Sequence, residues 1–553
     1  MFRVEIQERI SWLLGATLFL VTVAVTPLST LDPINLPKMW VLSGLSFAIG
    51  AVLLTQFKVL FSREHWKYII PARLVFGFMV LAMLFSSSNF SQQLFGVSGR
   101  NTGLITYFCF GTIFIASALA LNVKSIKPIM IGSTAAFGLN AAYGLVQALG
   151  KDPQKWSNPY APVIGTLGNP NFVAAFLGMG MAFAFSYLVT EGINWKFRIL
   201  ALAYIGISLF DILKSDAQQG IIVSAISMGL VGYFLLKHRI KNKSLNLIYL
   251  GLGGVVTILA IFGTLQKGPL ASFLYKASVT YRGDYWHAGW KMFIEHPWFG
   301  VGLDSYGDYY RATRTLAATV RRGPSTVSNA AHNVFIDIAA TAGIFALIAY
   351  LAVIAIGFRA AWQISKRAKG FDPFFIGVFV AWIGYLVQSV ISINNIALGI
   401  WGWALPGILV AINKWQVAEK RKFEKSKVAD FSSMTMVMGL VVGGVIGFLP
   451  FNSDANFRHA LESGNQDAIY SAAIKWPTDP SRIMYAAQIF DQNNAQAKAV
   501  ELAREAIKLN PRSFDAWMFL YSQNIISGNE KREILDRLKA LDPSNPDLAK
   551  LNS

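Results

Sequence analysis

The sequence predicts an all-α protein, in which a polytopic membrane helical bundle is followed by a soluble α-helical domain. Hydrophobic residues make up 54% of the 553 residues, charged residues make up 14%, and the mean hydropathy is +0.44. A soluble globular protein carries about 25% charged residues, so this composition indicates an integral membrane protein. The net charge of +19 does not indicate nucleic acid binding, because the cations lie in short clusters between apolar runs.

Thirteen apolar runs approach the length of about 20 residues that a helix needs to cross a bilayer. We predict twelve core spans and one additional span at 10–30, 38–57, 68–87, 102–121, 126–149, 171–190, 197–214, 218–236, 245–265, 333–358, 373–392, 396–413 and 432–450. Asp211 and Pro406 interrupt the spans at 197–214 and 396–413. The first run is longer than the apolar core of a signal peptide, so we interpret it as a span.

The distribution of Lys and Arg orients these spans. With the N-terminus in the cytoplasm, the inside connections hold 23 cations and the five short outside connections hold 5. Cytoplasmic connections of membrane proteins carry such an excess. We therefore expect a multi-pass protein of the cytoplasmic (inner) membrane, with the long loop 266–332 and everything after Pro450 on the outer face.

The C-terminal residues 452–553 form a separate, polar and helix-prone segment. A pair of Asp or Asn followed by Pro recurs at intervals of 31 and 32 residues, at Asp479-Pro480, Asn510-Pro511 and Asp542-Pro543. This pattern resembles tetratricopeptide (TPR) repeats, whose period is about 34 residues. Stacked repeats form a concave surface that binds proteins, so a protein partner is expected, with a generic helical cap as the alternative. The predicted domains are a membrane domain at 1–430, an additional span at 431–451 and a TPR-like extracytoplasmic domain at 452–553.

The outer-face loop 266–332 contains the strongest candidates for chemistry. It holds eight cations and four acids, and it ends at the pair His332-Asn333. Arginine suits bidentate contacts to phosphate, so the loop predicts an anionic, lipid-linked substrate. The candidate diphosphate contacts are Arg100, Arg311, Arg314, Arg321, Arg322 and Lys214, in addition to Arg282. His332 could act as a general acid or base, or it could only begin the next helix together with Asn333.

Arg282 precedes Trp286, Trp290 and Phe293, which lie at helical spacing. This spacing predicts a short amphipathic helix in the membrane interface, with Arg282 at headgroup level. The alternative is an aromatic belt in which Arg282 is only an interfacial anchor. The turn that follows, 297–302, is rich in glycine and suits close backbone packing.

Two more outer-face turns are candidates. Gly99-Arg100-Asn101 places a cation in a glycine-rich turn before the fourth span, and Gly168-Asn169-Pro170-Asn171 opens the sixth span. The amides of Asn169, Asn171 and Asn333 suit contacts to sugar or acceptor hydroxyl groups. The alternative for both turns is ordinary turn chemistry at a helix start.

Together these motifs resemble those of the O-antigen ligase and polymerase superfamily. The resemblance covers roughly residues 10–413 and is most specific over 282–343. Its matching residues are Gly99-Arg100-Asn101-Thr-Gly103, Gly168-Asn169-Pro170-Asn171, Arg282 with Trp286, Pro297-Trp-Phe-Gly300-Val-Gly302, His332-Asn333 and Thr341-Ala-Gly343. The resemblance implies a membrane glycosyltransferase that moves a glycan from undecaprenyl diphosphate to an acceptor. The family's essential arginine would correspond to Arg282 and its essential histidine to His332.

The chain departs from the family pattern in two places. Many ligases carry Arg beside Ser in the short turn before the eighth span, where this chain has Lys214-Ser215. The thirteenth span and the repeat-like tail are additions, so the acceptor could be a lipid, a protein or a wall polymer. The sequence has neither an Asp-x-Asp motif nor His/Cys metal spacing. We therefore expect a metal-independent reaction without a cofactor.

Three alternatives remain open from the sequence. A polymerase of the same superfamily differs from a ligase only in its acceptor. A lipid-linked glycan transporter or flippase would use ionisable residues within the membrane, of which Arg73, Asp211 and Asp337 are the main examples. A scaffold would use the tail to recruit enzymes to an inactive membrane body.

Overall fold

The fold was analysed in a computed structural model that describes residues 2–156, 162–240, 242–418 and 432–551. Within these residues the protein is α-helical and contains no β-strand. The first half contains α1 (Val4–Val23), α2 (Asn35–Leu54), α3 (Phe57–Leu60), α4 (Arg63–Phe85), α5 (Phe90–Phe95), α6 (Leu104–Ala120), α7 (Lys127–Ala148), α8 (Pro170–Leu188), α9 (Trp195–Lys214), α10 (Gln218–Arg239), α11 (Lys243–Thr264) and α12 (Ala271–Leu274). The second half contains α13 (Ala277–Glu295), α14 (Tyr306–Thr313), α15 (Leu316–Arg322), α16 (Val334–Arg367), α17 (Pro373–Ile391), α18 (Ile396–Ala418), α19 (Ser432–Ser463), α20 (Gln466–Ile474), α21 (Pro480–Gln492), α22 (Gln496–Leu509), α23 (Phe514–Ser522) and α24 (Gly528–Leu541).

Each of the thirteen predicted spans coincides with a helix. Eleven helices in the described part of the chain are long and apolar enough to cross a membrane. Of the other two, α6 is apolar but only 17 residues long, and α9 carries Lys196, Arg198 and Asp211. The prediction of a polytopic helical membrane protein is therefore confirmed.

The additional span α19 packs along α2 through glycines at every fourth position. A Cβ atom added at Gly439 would lie 2.5 Å from the carbonyl oxygen of Phe47, and one added at Gly447 would lie 2.8 Å from Cα of Trp40. Small residues at this spacing let two membrane helices approach closely. The helix continues unbroken from 432 to 463, so it crosses the predicted domain boundary at 451–452.

The C-terminal tail consists of helical hairpins around a hydrophobic core of its own. Helix α21 pairs with α22, and α23 pairs with α24. The first helices of these two hairpins begin 34 residues apart, at Pro480 and Phe514. Helical hairpins are the unit that the TPR prediction requires, and the repeat assignment itself stays a prediction.

The tail lies against the 266–332 loop, because side chains of both segments are in contact. Arg314 pairs with Asp542 at 2.6 Å, and the Asn510 amide donates to Asp308 at 2.8 Å. The loop and the tail therefore share one end of the helix bundle. We call this end the loop side.

Candidate active site

A break in α16 anchors the loop to the bundle. Gly343 has φ 79°, and the backbone of 297–302 fills the gap, with Val301 N–H donating to Ala340 O at 2.9 Å and Ile344 N–H donating to Pro297 O at 2.8 Å. The break divides α16 into a half-helix, 334–342, and a longer helix that continues to Arg367. The start of the half-helix is held rigidly at the loop side.

Glycines make this insertion possible, as the sequence predicted for the 297–302 turn. Gly300 has φ 68°, and a Cβ atom there would lie 2.5 Å from the amide nitrogen of Ala342. A Cβ atom at Gly302 would lie 2.6 Å from the Ser86 hydroxyl. Only glycine fits such positions, since it has no Cβ and tolerates positive φ. The prediction of close backbone packing is confirmed.

His332 lies immediately before the half-helix of α16. Its φ is 52°, a left-handed conformation that is uncommon for a residue other than glycine. The imidazole stacks on the Tyr285 ring with centroids 4.9 Å apart, and the Trp286 indole N–H donates to the His332 carbonyl at 3.4 Å. Helix α13 therefore fixes the direction of the imidazole ring.

Arg282 and Arg322 are both close enough to the Tyr285–His332 stack to act on the imidazole electrostatically. Arg282 is one turn before Tyr285 on α13, and its Nε donates to the Ile391 carbonyl at 2.8 Å. The Arg322 guanidinium hydrogen-bonds the Tyr285 hydroxyl and lies over the Tyr281 ring at 4.6 Å. Within the described residues, neither guanidinium forms an ion pair with a carboxylate. Both retain uncompensated positive charge.

Burial and the positive charges around His332 keep its imidazole neutral. Burial, followed by the positive charges of Arg282, Arg100 and Arg322, lowers the pKa of His332 from 6.5 to about 3. A low local dielectric and nearby like charges both disfavour the imidazolium form. His332 is thus a neutral hydrogen-bonding base within an electropositive site.

Arg100 is also near His332, but its guanidinium group is paired with two carboxylates. Its Nη2 lies 3.2 Å from Asp304 and 3.3 Å from Asp337, and its Nη1 donates to the Asn329 carbonyl at 2.5 Å. Burial opposes its charge, but the two carboxylates outweigh burial and raise the pKa of Arg100. The side chain is buried. Arg100 therefore supports the turn before His332, because Asp337 also accepts the Ala331 N–H at 2.9 Å.

Three other predicted arginines contact acids instead of facing the site. Arg311 and Arg314 are buried against Asp542 of the tail, at 3.3 Å and 2.6 Å. Arg321 is partly exposed and contacts both carboxylate oxygens of Asp284, at 2.7 Å and 2.6 Å. We do not assign these three guanidinium groups to a diphosphate.

The remaining predicted residues lie at helix ends. Lys214 is exposed at the end of α9, with its ammonium 5.7 Å from the centre of the Phe210 ring. The side-chain oxygen of Asn333 accepts the N–H groups of Phe335 and Ile336, so Asn333 caps α16.

The two asparagines before the sixth span are also at a helix start. Asn169 caps α8, and its side-chain oxygen accepts the Asn171 N–H at 2.9 Å. No hydrogen bond in the described residues joins Asn169 or Asn171 to the His332 cluster. The amide –NH2 groups of Asn169 and Asn333 remain available after capping.

Sequence reasoning missed three contributors to this site. Tyr285 links His332 to Arg322, although the sequence analysis placed only Trp286, Trp290 and Phe293 of α13 in the interface. The last residue of α17, Ile391, supplies the carbonyl that holds Arg282. Asp542 receives Arg311 and Arg314 from 228 or more residues away. Of these three contributors only Tyr285 had a signal in the sequence, because it lies three residues after Arg282 and so on a similar face of the predicted helix.

The arrangement suits anion binding and base chemistry. Two uncompensated guanidinium groups lie beside a neutral imidazole, next to the N-terminus of the α16 half-helix. Helix N-termini carry partial positive charge, which favours phosphate oxygens, although Asn333 already accepts the N–H groups of Phe335 and Ile336 here. In the described part of the chain, no cluster of three or more His, Cys, Asp or Glu side chains could hold a metal ion.

One family model matches the part of the chain that contains this cluster. Residues 173–351 match the family model described as O-Antigen ligase, a range that contains Arg282, Arg322 and His332. A comparison with curated proteins finds no match. The family match supports a membrane ligase or glycosyltransferase in general terms. The chain is thus a multi-pass helical membrane protein whose residues 173–351 are similar to the O-antigen ligase family.

Proposed function

We propose that this protein transfers a glycan from an undecaprenyl-diphosphate-linked donor to an acceptor hydroxyl at the outer face of the cytoplasmic membrane. One observation carries the proposal: Arg282 and Arg322, which form no ion pair with a carboxylate of the described residues, lie near a neutral His332. A diphosphate supplies the negative charge that this site lacks. The excess of Lys and Arg on the opposite connections supports an outward orientation of the loop side.

The two arginines would bind the diphosphate. Arg282 is fixed by the Ile391 carbonyl through Nε, and its Nη1 has only long contacts, of 3.4 and 3.5 Å, to Ser278. Arg322 lies over the Tyr281 and Tyr285 rings and donates to the Tyr285 hydroxyl through Nη1, so its remaining N–H groups would bind phosphate oxygens. Lys214 is proposed as a further, more distant contact. Charge-assisted hydrogen bonds of this kind stabilise the leaving group as its charge develops.

His332 would take the acceptor's proton. The acceptor oxygen forms a bond to the anomeric carbon while the bond from that carbon to the phosphate oxygen breaks, with inversion. The electron pair leaves with undecaprenyl diphosphate, and the acceptor proton passes to the imidazole and then to solvent. Donor binding raises the pKa of His332, because the diphosphate offsets the charges of Arg282 and Arg322. The imidazole thereby becomes a stronger base only when the donor is present.

The remaining predicted residues are proposed for the sugar and the acceptor. Asn169, Asn171 and Asn333 would contact sugar or acceptor hydroxyl groups through their amides. The acceptor is a lipid, a protein or a wall polymer, and the TPR-like tail is a candidate surface for a protein partner. We propose a transferase domain at 1–430, an additional span at 431–451 and an extracytoplasmic tail from 452.

The proposal is tested by reconstituting the full chain in vesicles with a radiolabelled undecaprenyl-diphosphate glycan and a hydroxyl acceptor. His332→Ala and Arg282→Ala should abolish product at normal protein levels, whereas His287→Ala, on the exposed face of α13, should keep wild-type activity. Full activity in both site variants would end the assignment. Movement of donor across the bilayer without any product would favour a transporter. A product lengthened by a second lipid-linked chain would favour a polymerase.

A further inference from the structure

One carboxylate of the tail, that of Asp542, contacts buried arginines of the 266–332 loop, which carries the proposed site. Asp542, the residue after α24, is fully buried. It lies 2.6 Å from Arg314 and 3.3 Å from Arg311, both on the loop. A carboxylate between two buried guanidinium groups offsets their mutual repulsion.

The same two arginines hold the turn that separates Arg322 from His332. Arg311 and Arg314 both donate to the Pro324 carbonyl, at 2.7 and 2.9 Å, and Arg314 also donates to the Thr326 carbonyl at 2.9 Å. This turn follows Arg322 directly and lies six residues before His332. The position of Arg322 therefore depends on where Arg311 and Arg314 are held.

Other contacts dock the tail without Asp542. Asn510 donates to Asp308 at 2.8 Å, and the Arg512 guanidinium lies 3.8 Å from the centre of the Tyr309 ring. The hydroxyl groups of Ser91 and Thr478 are 3.3 Å apart at a third point of contact. Loss of the Asp542 charge alone should leave the tail in place, while Arg314 loses its counter-ion and Arg311 keeps only the exposed Asp515.

We propose that Asp542 is a positioning residue for the transfer reaction. Through Arg311 and Arg314 it fixes the 323–326 turn, and so it sets the distance between Arg322 and His332. The tail then helps to position the transfer site, whether or not it also binds a protein partner. This inference rests on the proposed function, because Arg322 is assigned to the donor diphosphate.

The test compares Asp542→Asn with Asp515→Asn in the full chain. Asp515 also contacts Arg311, at 3.4 Å, but its side chain is 78% exposed, so its loss should have little effect. Asp542→Asn should lower kcat/KM for the lipid-linked donor by about tenfold to a hundredfold, mainly through a higher apparent KM. Misplacement of a binding group by about 1 Å has an effect of this size. Wild-type kinetics in Asp542→Asn would overturn the proposal.

A disulfide separates positioning from docking. Ser91→Cys with Thr478→Cys would tie the tail to the membrane domain covalently, and the native Cys109 is buried. Asp542→Asn in this background should keep its kinetic defect although the tail is fixed. Restoration of wild-type kinetics by the disulfide would show that Asp542 only docks the tail, which contradicts a positioning role.

Backbone amide hydrogen exchange tests whether Asp542 holds the 323–326 turn without requiring a transfer assay. In Asp542→Asn, peptides covering 323–331 should exchange faster by about tenfold, while peptides of α21 and α22 should keep wild-type protection. Unchanged exchange over 323–331 would refute the positioning role. If the wild-type protein transfers no glycan, the proposed function fails, and the exchange result still decides whether Asp542 holds the turn.

Discussion

Two neighbouring arginines, Arg321 and Arg322, should differ sharply in their effect on transfer. Arg322 has no carboxylate partner in the part of the chain that the structure describes, and it hydrogen-bonds Tyr285, which stacks on His332. Arg321 is paired with Asp284, and its side chain is 40% exposed. We predict that Arg322→Gln weakens donor recognition strongly and that Arg321→Gln does so weakly.

The magnitudes follow from these contacts. A hydrogen bond between charged groups contributes about 1.5–3 kcal/mol, so Arg322→Gln should lower kcat/KM for the donor by about 10- to 150-fold. An exposed ion pair contributes about 0–1 kcal/mol, so Arg321→Gln should change kcat/KM by less than about fivefold. The cation–π contacts of Arg322 contribute about 0.5–1 kcal/mol, so the variant should remain folded.

The assay is the initial rate of glycan transfer at varied donor concentration, with protein amount and Tm matched. Equal losses in the two variants would refute the reasoning, because total loop charge would then decide binding. A larger loss in Arg321→Gln would also refute it. Both variants lose one positive charge, so general attraction to the membrane surface is the same in each.

Three further predictions concern titration, packing and the helix break. Burial and nearby arginines lower the pKa of His332 from 6.5 to about 3, so this group stabilises the fold above pH 6.5 and the stabilisation is lost as the pH falls towards 3. His332→Gln should therefore flatten the dependence of Tm on pH across that window. An unchanged slope would contradict this prediction. Gly443→Leu should destabilise the α19–α2 contact by about 1–3 kcal/mol, seen as a lower Tm, whereas Gly444→Leu should not, because a Cβ there meets no atom within 4 Å. Gly343→Ala should cost about 1–3 kcal/mol of strain at φ 79° and lower the transfer rate, and normal Tm and rate would show that the α16 break is dispensable.

The sequence was sufficient for the features that depend on local pattern. Hydropathy predicted thirteen spans, each of which overlaps a helix, and eleven helices of the described residues are long and apolar enough to cross a membrane. The 297–302 turn was recognised from its glycines, since close backbone approach requires them. The helical spacing from Arg282 to Phe293 correctly placed Arg282 on a helix.

The partners of the arginines could not be inferred in the same way. Arg311, Arg314, Arg321 and Arg322 form one basic stretch in the sequence, but tertiary contacts divide them. Asp542 lies more than 220 residues from Arg311 and Arg314, and no periodicity connects them. Which cation remains uncompensated depends on the folded position of each acid.

The contact between tail and loop also changes how a truncation is interpreted. Removal of residues 452–553 would expose Arg311 and Arg314 and release the 323–326 turn. Loss of transfer after truncation is therefore expected of an enzyme as well as of a scaffold. Asp542→Asn with the Ser91–Thr478 disulfide is the more informative comparison.

The central claim is that Arg282 and Arg322 hold the diphosphate and that His332 activates the acceptor. Single-turnover transfer, measured at increasing enzyme concentration over labelled donor, gives the donor affinity and the chemical rate from one titration. Arg282→Gln should raise the half-saturating concentration by about tenfold or more, and His332→Gln should lower the maximal rate by about a hundredfold with little change in half-saturation. A normal maximal rate in His332→Gln, or the same parameter altered in both variants, would contradict the account.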